Sequence, residues 1–312
     1  MIVALAGGVG AARFLRGLTR AVPPTQVTVV SNTADDDVFH GLHVSPDVDT
    51  VVYTLAGLSD EERGWGLAGE TWNVMDALAA LGGGTWFRLG DRDLATHLLR
   101  SGRLRSGATL SQVTAEIASA LGVRVRVLPM SDDPVQTRVE LASGEEVSFQ
   151  DYFVRLAHDV PIRGIRFAGV DAASPAPGVL ESIAAADVVV ICPSNPIVSI
   201  GPILALPGVA AGLSCRRESV VAVSPIVAGA AVKGPAARML AELGIEASVS
   251  GVAGVYAEVA GTLVVDEADR DLAAEVERTG CRCVVAPSLM SSPAAAERLA
   301  RVALDAVGGP GG

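Results

Sequence analysis

Short runs of β-branched and small apolar residues punctuate the chain at Ile2–Ala6, Val27–Val30, Val188–Cys192, Val220–Val223 and Cys283–Ala286. Between them apolar positions recur at helical spacing over Gly10–Arg20, Thr71–Leu81, Asp91–Leu99, Thr109–Leu121 and Pro293–Ala306, several opened by Thr, Asp or Ser. Unbroken apolar strands alternating with helices predict a doubly wound α/β fold, a mainly parallel sheet with helices on both faces. The rhythm changes between Val123 and Gly169. There RVRVLPM is followed by VQTRVEL, ASGEE and VSFQ, which read as a hairpin around a Ser-Gly turn within an inserted α/β excursion from the core. Neither a Pro/Ser/Gly-rich linker nor a fixed-period repeat divides the chain, so residues 1–312 read as one domain with GGPGG as a frayed tail.

Composition removes several classes of function. A chain of 312 residues, half of them hydrophobic, can bury a large core. Its formal charge of -11 repels nucleic acid and anionic lipid, and a polyanionic substrate would need a metal or a backbone anion site. The four cysteines, Cys192, Cys215, Cys281 and Cys283, lack zinc-site spacing and are too few for a disulfide scaffold, so reduced thiols are expected. MIVALAGGVGAARFL has no basic leader and is broken by glycines, and no later stretch stays apolar for a membrane span. A cytoplasmic location follows as an expectation.

The run Ile2–Ala6 leads through Gly7-Gly8-Val9-Gly10 into an amphipathic helix. Small residues at a strand-to-helix turn either make a tight turn or expose backbone N–H groups as an anion site, with Gly8 and Gly10 nearest a phosphate. A dinucleotide enzyme would carry an acid at the end of its second strand, where this chain has Ser31-Asn32. A P-loop needs Gly-Lys-Ser/Thr, and the sole lysine is Lys233. Asp35-Asp36-Asp37 follow the second strand, with Asp47 and Asp49 shortly after. These acids are either solvated turns with a helix cap at Asp49, or carboxylates converging on the glycine loop, where hard oxygens suit Mg²⁺.

Further along, WFRLGDRDLATHLLR joins Trp86, Phe87 and Arg88 to a helix start. Aromatic rings there can bound a slot for a flat ring and arginines can meet an anion; the alternative is an amphipathic helix with solvated charges. Ser194 and Asn195, at the end of the strand Val188–Cys192, can hydrogen-bond a base or ribose. Cys192 has no sequence neighbour that argues for a nucleophile.

With these residues in view, the sequence resembles the 2-phospho-L-lactate transferase family of deazaflavin coenzyme biosynthesis. The resemblance runs from AGGVGAARFLRGL through SNTADDD, SPDVDTVVYTLAG, RGWGLAGETWN, WFRLGDRDLATHLLRSG, MSDDPVQTRV and CPSNPIVSIGPIL to SPIVAG. It implies a Rossmann-like core and transfer of a phosphoester group from a GDP-linked donor to the ribityl hydroxyl of Fo, a deazariboflavin, releasing GMP on the way to coenzyme F-420. Carried over by residue, Asp49 and Arg88 fall at the deazaflavin contact with Trp86 beside them, and Asp35 and Asp47 at the Mg²⁺ site. Asp49 and Asp36 are the candidates for taking the hydroxyl proton, and Asp37 stands where many relatives carry another residue. The lysine-poor, Ala/Arg/Gly-rich composition suggests a high-GC bacterium and hence an enolpyruvyl rather than a lactyl donor. The expected partners are these two small molecules and further copies of the chain, as a homo-oligomer such as a dimer. A regulatory protein similar to the gluconeogenesis factor relatives would share the glycine loop, but WFRLGDRDLATH and MSDDPVQT favour the transferase.

Overall fold

The computed structural model describes residues 1–232 and 234–307; the expected GGPGG tail lies outside the described residues. In chain order the strands are β1 (Ile2–Ala6), β2 (Val27–Ser31), the hairpin β3 (Asp37–Phe39) and β4 (Leu42–Val44), β5 (Arg126–Pro129), β6 (Gln136–Leu141), β7 (Glu146–Ser148), β8 (Ile162–Ala168), β9 (Val188–Ile191), β10 (Val220–Val223), the pair β11 (Ile226–Val227) and β12 (Ala230–Ala231), β13 (Thr262–Val265) and β14 (Arg282–Val285). Seven of them form one sheet in the order β14-β13-β10-β9-β1-β2-β5. Every pairing in it is parallel, as the uninterrupted apolar runs required.

Both faces are covered, and β1 shows why its sequence has no polar position. Val3 and Leu5 enter one core with Val179, Ile183, Val252 and Tyr256, while Ile2, Ala4 and Ala6 enter the other with Phe14, Leu15 and Leu299. Each fully buried Val or Leu contributes roughly 1.5–3 kcal/mol, so a charge at any β1 position would be costly. Helix α1 (Gly8–Ala21) buries Ala11, Phe14, Leu15 and Leu18 at helical spacing and keeps its arginines off the core face, Arg13 and Arg16 half-buried and Arg20 exposed. Its partner is the C-terminal helix Pro293–Val307, and they meet at Gly17. A Cβ on Gly17 would sit 2.3 Å from the Ala296 carbonyl, so the helices approach only because that atom is missing. Gly17→Ala is expected to cost about 1–3 kcal/mol of stability despite its better helix propensity, read as a lower midpoint in thermal unfolding. An unchanged midpoint would show that the helices slide apart freely.

Three more helices position the site: α2 (Pro46–Leu55), α3 (Asn73–Ala80) and α4 (Asp91–Arg105). Proline at the first position of α2 begins that helix before Asp49, so Asp49 is a first-turn residue and not a cap. Helix α5 (Leu110–Ala120) opens on a full capping box from Thr109 and Gln112. The excursion starts later than its sequence suggests. Arg126–Pro129 joins the main sheet beside β2, and the separate sheet has the order β7-β6-β8, with β8 a third strand behind the expected hairpin.

Candidate active site

Strand order reverses beside β1: the chain moves outward through β2 to β5, then returns to place β9 on the other side of β1 and moves outward through β10. At such a switch point the loops leaving the two central strands diverge and open a crevice at the strands' carboxyl ends. A cleft of about 860 Å³ lies there, lined by Gly7–Gly10, Pro193–Asn195, Ser224 and Ser288 among others. The two central loops nearly touch. A Cβ on Gly10 would lie 2.3 Å from the Pro193 carbonyl oxygen, so only glycine lets the start of α1 pack under the loop after β9.

Asn32, at the end of β2, organises the floor. Its side-chain oxygen accepts from the Ala34 N–H at 3.0 Å, and its Nδ2 donates to Asp35 at 3.1 Å and Asp47 at 3.0 Å. Two carboxylates from different loops thus share one amide donor, both buried and both on the cleft wall. Asp47 also accepts from the backbone of Gly8, which ties the acidic pair to the glycine loop. Burial raises the Asp47 pKa to about 7, with the Asp36 charge adding to it and Asn32 and Gly8 opposing. Asp35 is pushed well above the ordinary carboxyl value by burial and then by the charges of Asp47 and Asp36. Two desolvated acids held this way lack a positive partner, and a hard divalent cation shared with substrate oxygens fits the pair. Among the described residues no group of three or more His, Cys, Asp or Glu forms a metal cage, so further ligands would come from substrate or water.

The remaining acids have other partners. Asp36 binds His43 at 3.0 Å and Ser45 at 2.6 Å and is not part of the cleft lining; burial raises its pKa against those two contacts. Asp49 lines the cleft but is gripped bidentately by Arg100 of α4, whose Nη1 lies 3.0 Å from Oδ2. Arg100 is fully buried; burial works against its charge, but Asp49, with Asp36 and Tyr53 adding to it, outweighs burial and holds the guanidinium above its ordinary pKa. The same Nη1 lies 3.2 Å from His97 Nδ1. Arginine can only donate, so Nδ1 carries the lone pair and the ring proton sits on Nε2, facing Asp93 at 3.2 Å. Asp93 also accepts from the Tyr53 hydroxyl at 2.7 Å. Burial raises Asp93, yet His97, Tyr53 and Arg100 together keep it below the ordinary value.

An aromatic wall completes the cleft. Phe87 stacks on Phe39 with ring centroids 3.6 Å apart, and Trp86 meets Phe39 edge-on at 5.4 Å. Arg88 lies 4.4 Å over the Trp72 ring, and its head is exposed at the cleft. Ser194 lines the cleft but donates its hydroxyl to the Gly7 carbonyl at 2.7 Å, and Asn195 caps the following turn by accepting from Ile197 at 2.9 Å. Both residues line the cleft, and the Ser194 hydroxyl and the Asn195 side-chain oxygen also brace the loop. Cys192 is buried and its thiol pushed far up by burial, which leaves it no thiolate.

Sequence reading passed over Asn32, Arg100, Asp93 and Tyr53 as site residues. The signal for part of the group was present: Asp93, His97 and Arg100 are spaced i, i+4, i+7 along α4 and so share one face.

A switch-point cleft that joins a glycine loop to paired buried acids is suited to a phosphate held with a cation. Comparison with known proteins makes this particular: the chain belongs to the 2-phospho-L-lactate transferase family CofD, whose model matches residues 2–288, and it is a transferase. It is 48% identical over 309 residues to a phosphoenolpyruvate transferase of Kitasatospora aureofaciens, covering 97% of this chain and 96% of that one. Against a 2-phospho-L-lactate transferase of Methanosarcina mazei it is 40% identical over 305 residues, covering 98% and 100%. A crystal structure of protein BH3568 from Bacillus halodurans superposes with a TM-score of 0.65 at 18% identity, over 97% of this chain and 98% of that one, and shares the fold. No described helix is long and apolar enough to cross a membrane.

Proposed function

We propose that this transferase moves the phosphoenolpyruvyl group of a GDP-linked donor onto the terminal ribityl hydroxyl of Fo, with GMP as the leaving group, in coenzyme F-420 synthesis. The observation that carries the reading is the pair Asp35 and Asp47 on one amide of Asn32, beside the Gly8 N–H. In the reaction the ribityl oxygen attacks the phosphorus bearing the enolpyruvyl group, and the bond from that phosphorus to the bridging oxygen breaks. GMP departs with the bridging oxygen, and the hydroxyl proton leaves the acceptor.

Mg²⁺ held by Asp35 and Asp47 would neutralise charge on the diphosphate, which an acidic chain needs before it can take a polyanion. Asn32 holds both carboxylates at one point. Asp49 orients the acceptor hydroxyl from a fixed position, because Arg100 allows its carboxylate no rotation. Asp49 is also the better placed of the two candidate bases because it lines the cleft, whereas Asp36, whose Oδ2 takes both His43 and Ser45, does not. Trp86 and Phe87, two rings set edge to face on the cleft wall, suit a planar deazaflavin, with Arg88 at its anionic edge. Five phosphoenolpyruvate transferases at 43–48% identity, with a sixth at 40%, against 2-phospho-L-lactate transferases of two Methanosarcina species at 40 and 42%, support the enolpyruvyl donor.

The test is mass spectrometry of products from purified protein, Fo, Mg²⁺ and each donor in turn. GMP and an enolpyruvyl phosphodiester of Fo are expected; donor consumed with Fo unchanged would overturn the assignment. Arg88→Ala should raise the KM for Fo about tenfold, the worth of one charged contact, and leave the donor KM alone. Equal Fo constants in a folded variant would make Arg88 a surface arginine.

A further inference from the structure

A recess of about 30 Å³ opens off the cleft. Val9, Arg13, Thr50, Gly64, Trp65 and Gly66 line both spaces, so the recess is continuous with the cleft. A volume that holds one or two waters suits a carboxylate and is too small for a base or a phosphodiester. Its own acids are already matched, Glu61 with Arg16 and Asp60 with Arg63 at 3.3 Å. Arg13 is the cation left over. It is half-buried, and among the described residues no carboxylate or carbonyl engages it.

Arg13 stands one helical turn beyond Gly10 on α1, about 4.5 Å along the axis. Resting on the function proposed above, the reacting phosphorus lies by the glycine loop and the Asp35–Asp47 pair. Enolpyruvyl and lactyl phosphates both carry a carboxylate on the carbon next to the phosphoester oxygen, so that group lies about one helical turn from the phosphorus. We propose that Arg13, in a recess that Thr50 also lines, is a specificity-determining residue that receives the carboxylate of the transferred group. A guanidinium fork matches a carboxylate in two parallel hydrogen bonds, and the recess excludes bulkier substituents. The donor is thus selected as a phosphorylated 2-hydroxy or enol acid and not merely as a guanosine diphosphate ester.

The experiment follows intrinsic tryptophan fluorescence, since Trp65 forms one wall of the recess, while phosphoenolpyruvate is titrated with Mg²⁺ into wild type, Arg13→Gln and Arg13→Lys. Arg13→Gln should bind phosphoenolpyruvate at least tenfold more weakly, with partial recovery in Arg13→Lys. Affinities for GMP and for inorganic phosphate, neither of which has a carboxylate, should match wild type. An equal loss for GMP would place Arg13 on the guanylate phosphate, and unchanged phosphoenolpyruvate binding would leave the recess to solvent; either overturns the proposal. Should Arg13→Gln not fold, Arg13→Lys carries the test by the same comparison. The readout is independent of Fo: a wild type that binds phosphoenolpyruvate through Arg13 but never modifies Fo would sink only the acceptor assignment.

Discussion

Asp35→Asn and Asp47→Asn should each lower turnover about a hundredfold or more at low millimolar Mg²⁺, the scale of losing a principal stabiliser of transition-state charge. Each change keeps the volume and the acceptor oxygen that Asn32 binds but removes one charge from the pair. Part of the loss should return at high Mg²⁺, because affinity falls before geometry does. The same variants should make the metal-free protein more stable, and the sign follows from linkage. An unfolded aspartate ionises near pH 3.9 and folded Asp47 near 7, so the folded state binds the extra proton between those values. Below the lower value there is no penalty. As pH rises through the window the folded protein loses stability relative to Asp47→Asn, and above about pH 7 the full difference remains. Thermal unfolding in EDTA at pH 4 and pH 8 should therefore show the variant gaining only at pH 8. Wild-type magnesium dependence in both variants would show that this buried pair does not hold the metal.

Arg100→Met should cost about 3–5 kcal/mol of unfolding free energy, the most of any single change considered for stability. The reason is asymmetry: the methionine fills the space, but Asp49 stays buried without the two hydrogen bonds that neutralise it. Adding Asp49→Asn to Arg100→Met should restore much of the loss by removing the stranded charge, whereas two independent effects would add. Urea unfolding of the single and double variants decides the matter. A cost below about 1 kcal/mol for Arg100→Met would mean the pair is worth no more than a surface ion pair. Because Asp49 faces the cleft, kcat should fall along with stability in the single variant.

How far the site could be read in advance differed residue by residue. The glycine loop and both acidic clusters were visible because each is a contiguous string next to a strand with an unmistakable apolar run. Asp36 was indistinguishable from Asp35 by the same criterion. What separates them is that His43 and Ser45, from the hairpin and the turn after it, take Asp36, whereas Asn32 takes Asp35. Ser194 and Asn195 pose a related problem: polar residues at a strand end can serve a ligand or the loop itself, and only the positions of Gly7 and Ile197 show that these two, which line the cleft, brace the loop as well.

By itself the sequence determined the kind of structure and its local pieces. Apolar runs at period two or without interruption, apolar positions at helical spacing, prolines and caps act through neighbours along the chain, so five of the seven sheet strands, several of the helices, the β6–β7 hairpin and the strand-to-helix glycine turn were readable, whereas β13 was passed over and β5 was placed in the excursion. Tertiary structure alone decided the strand order that puts β9 beside β1, the third strand β8, the sharing of Asn32 by Asp35 and Asp47, and the capture of Asp49 by Arg100 from a helix 51 residues away. A buried charge takes its partner from whatever packing brings within about 3 Å, and the energy of that contact depends on burial and on the other charges nearby, none of which has a period along the chain.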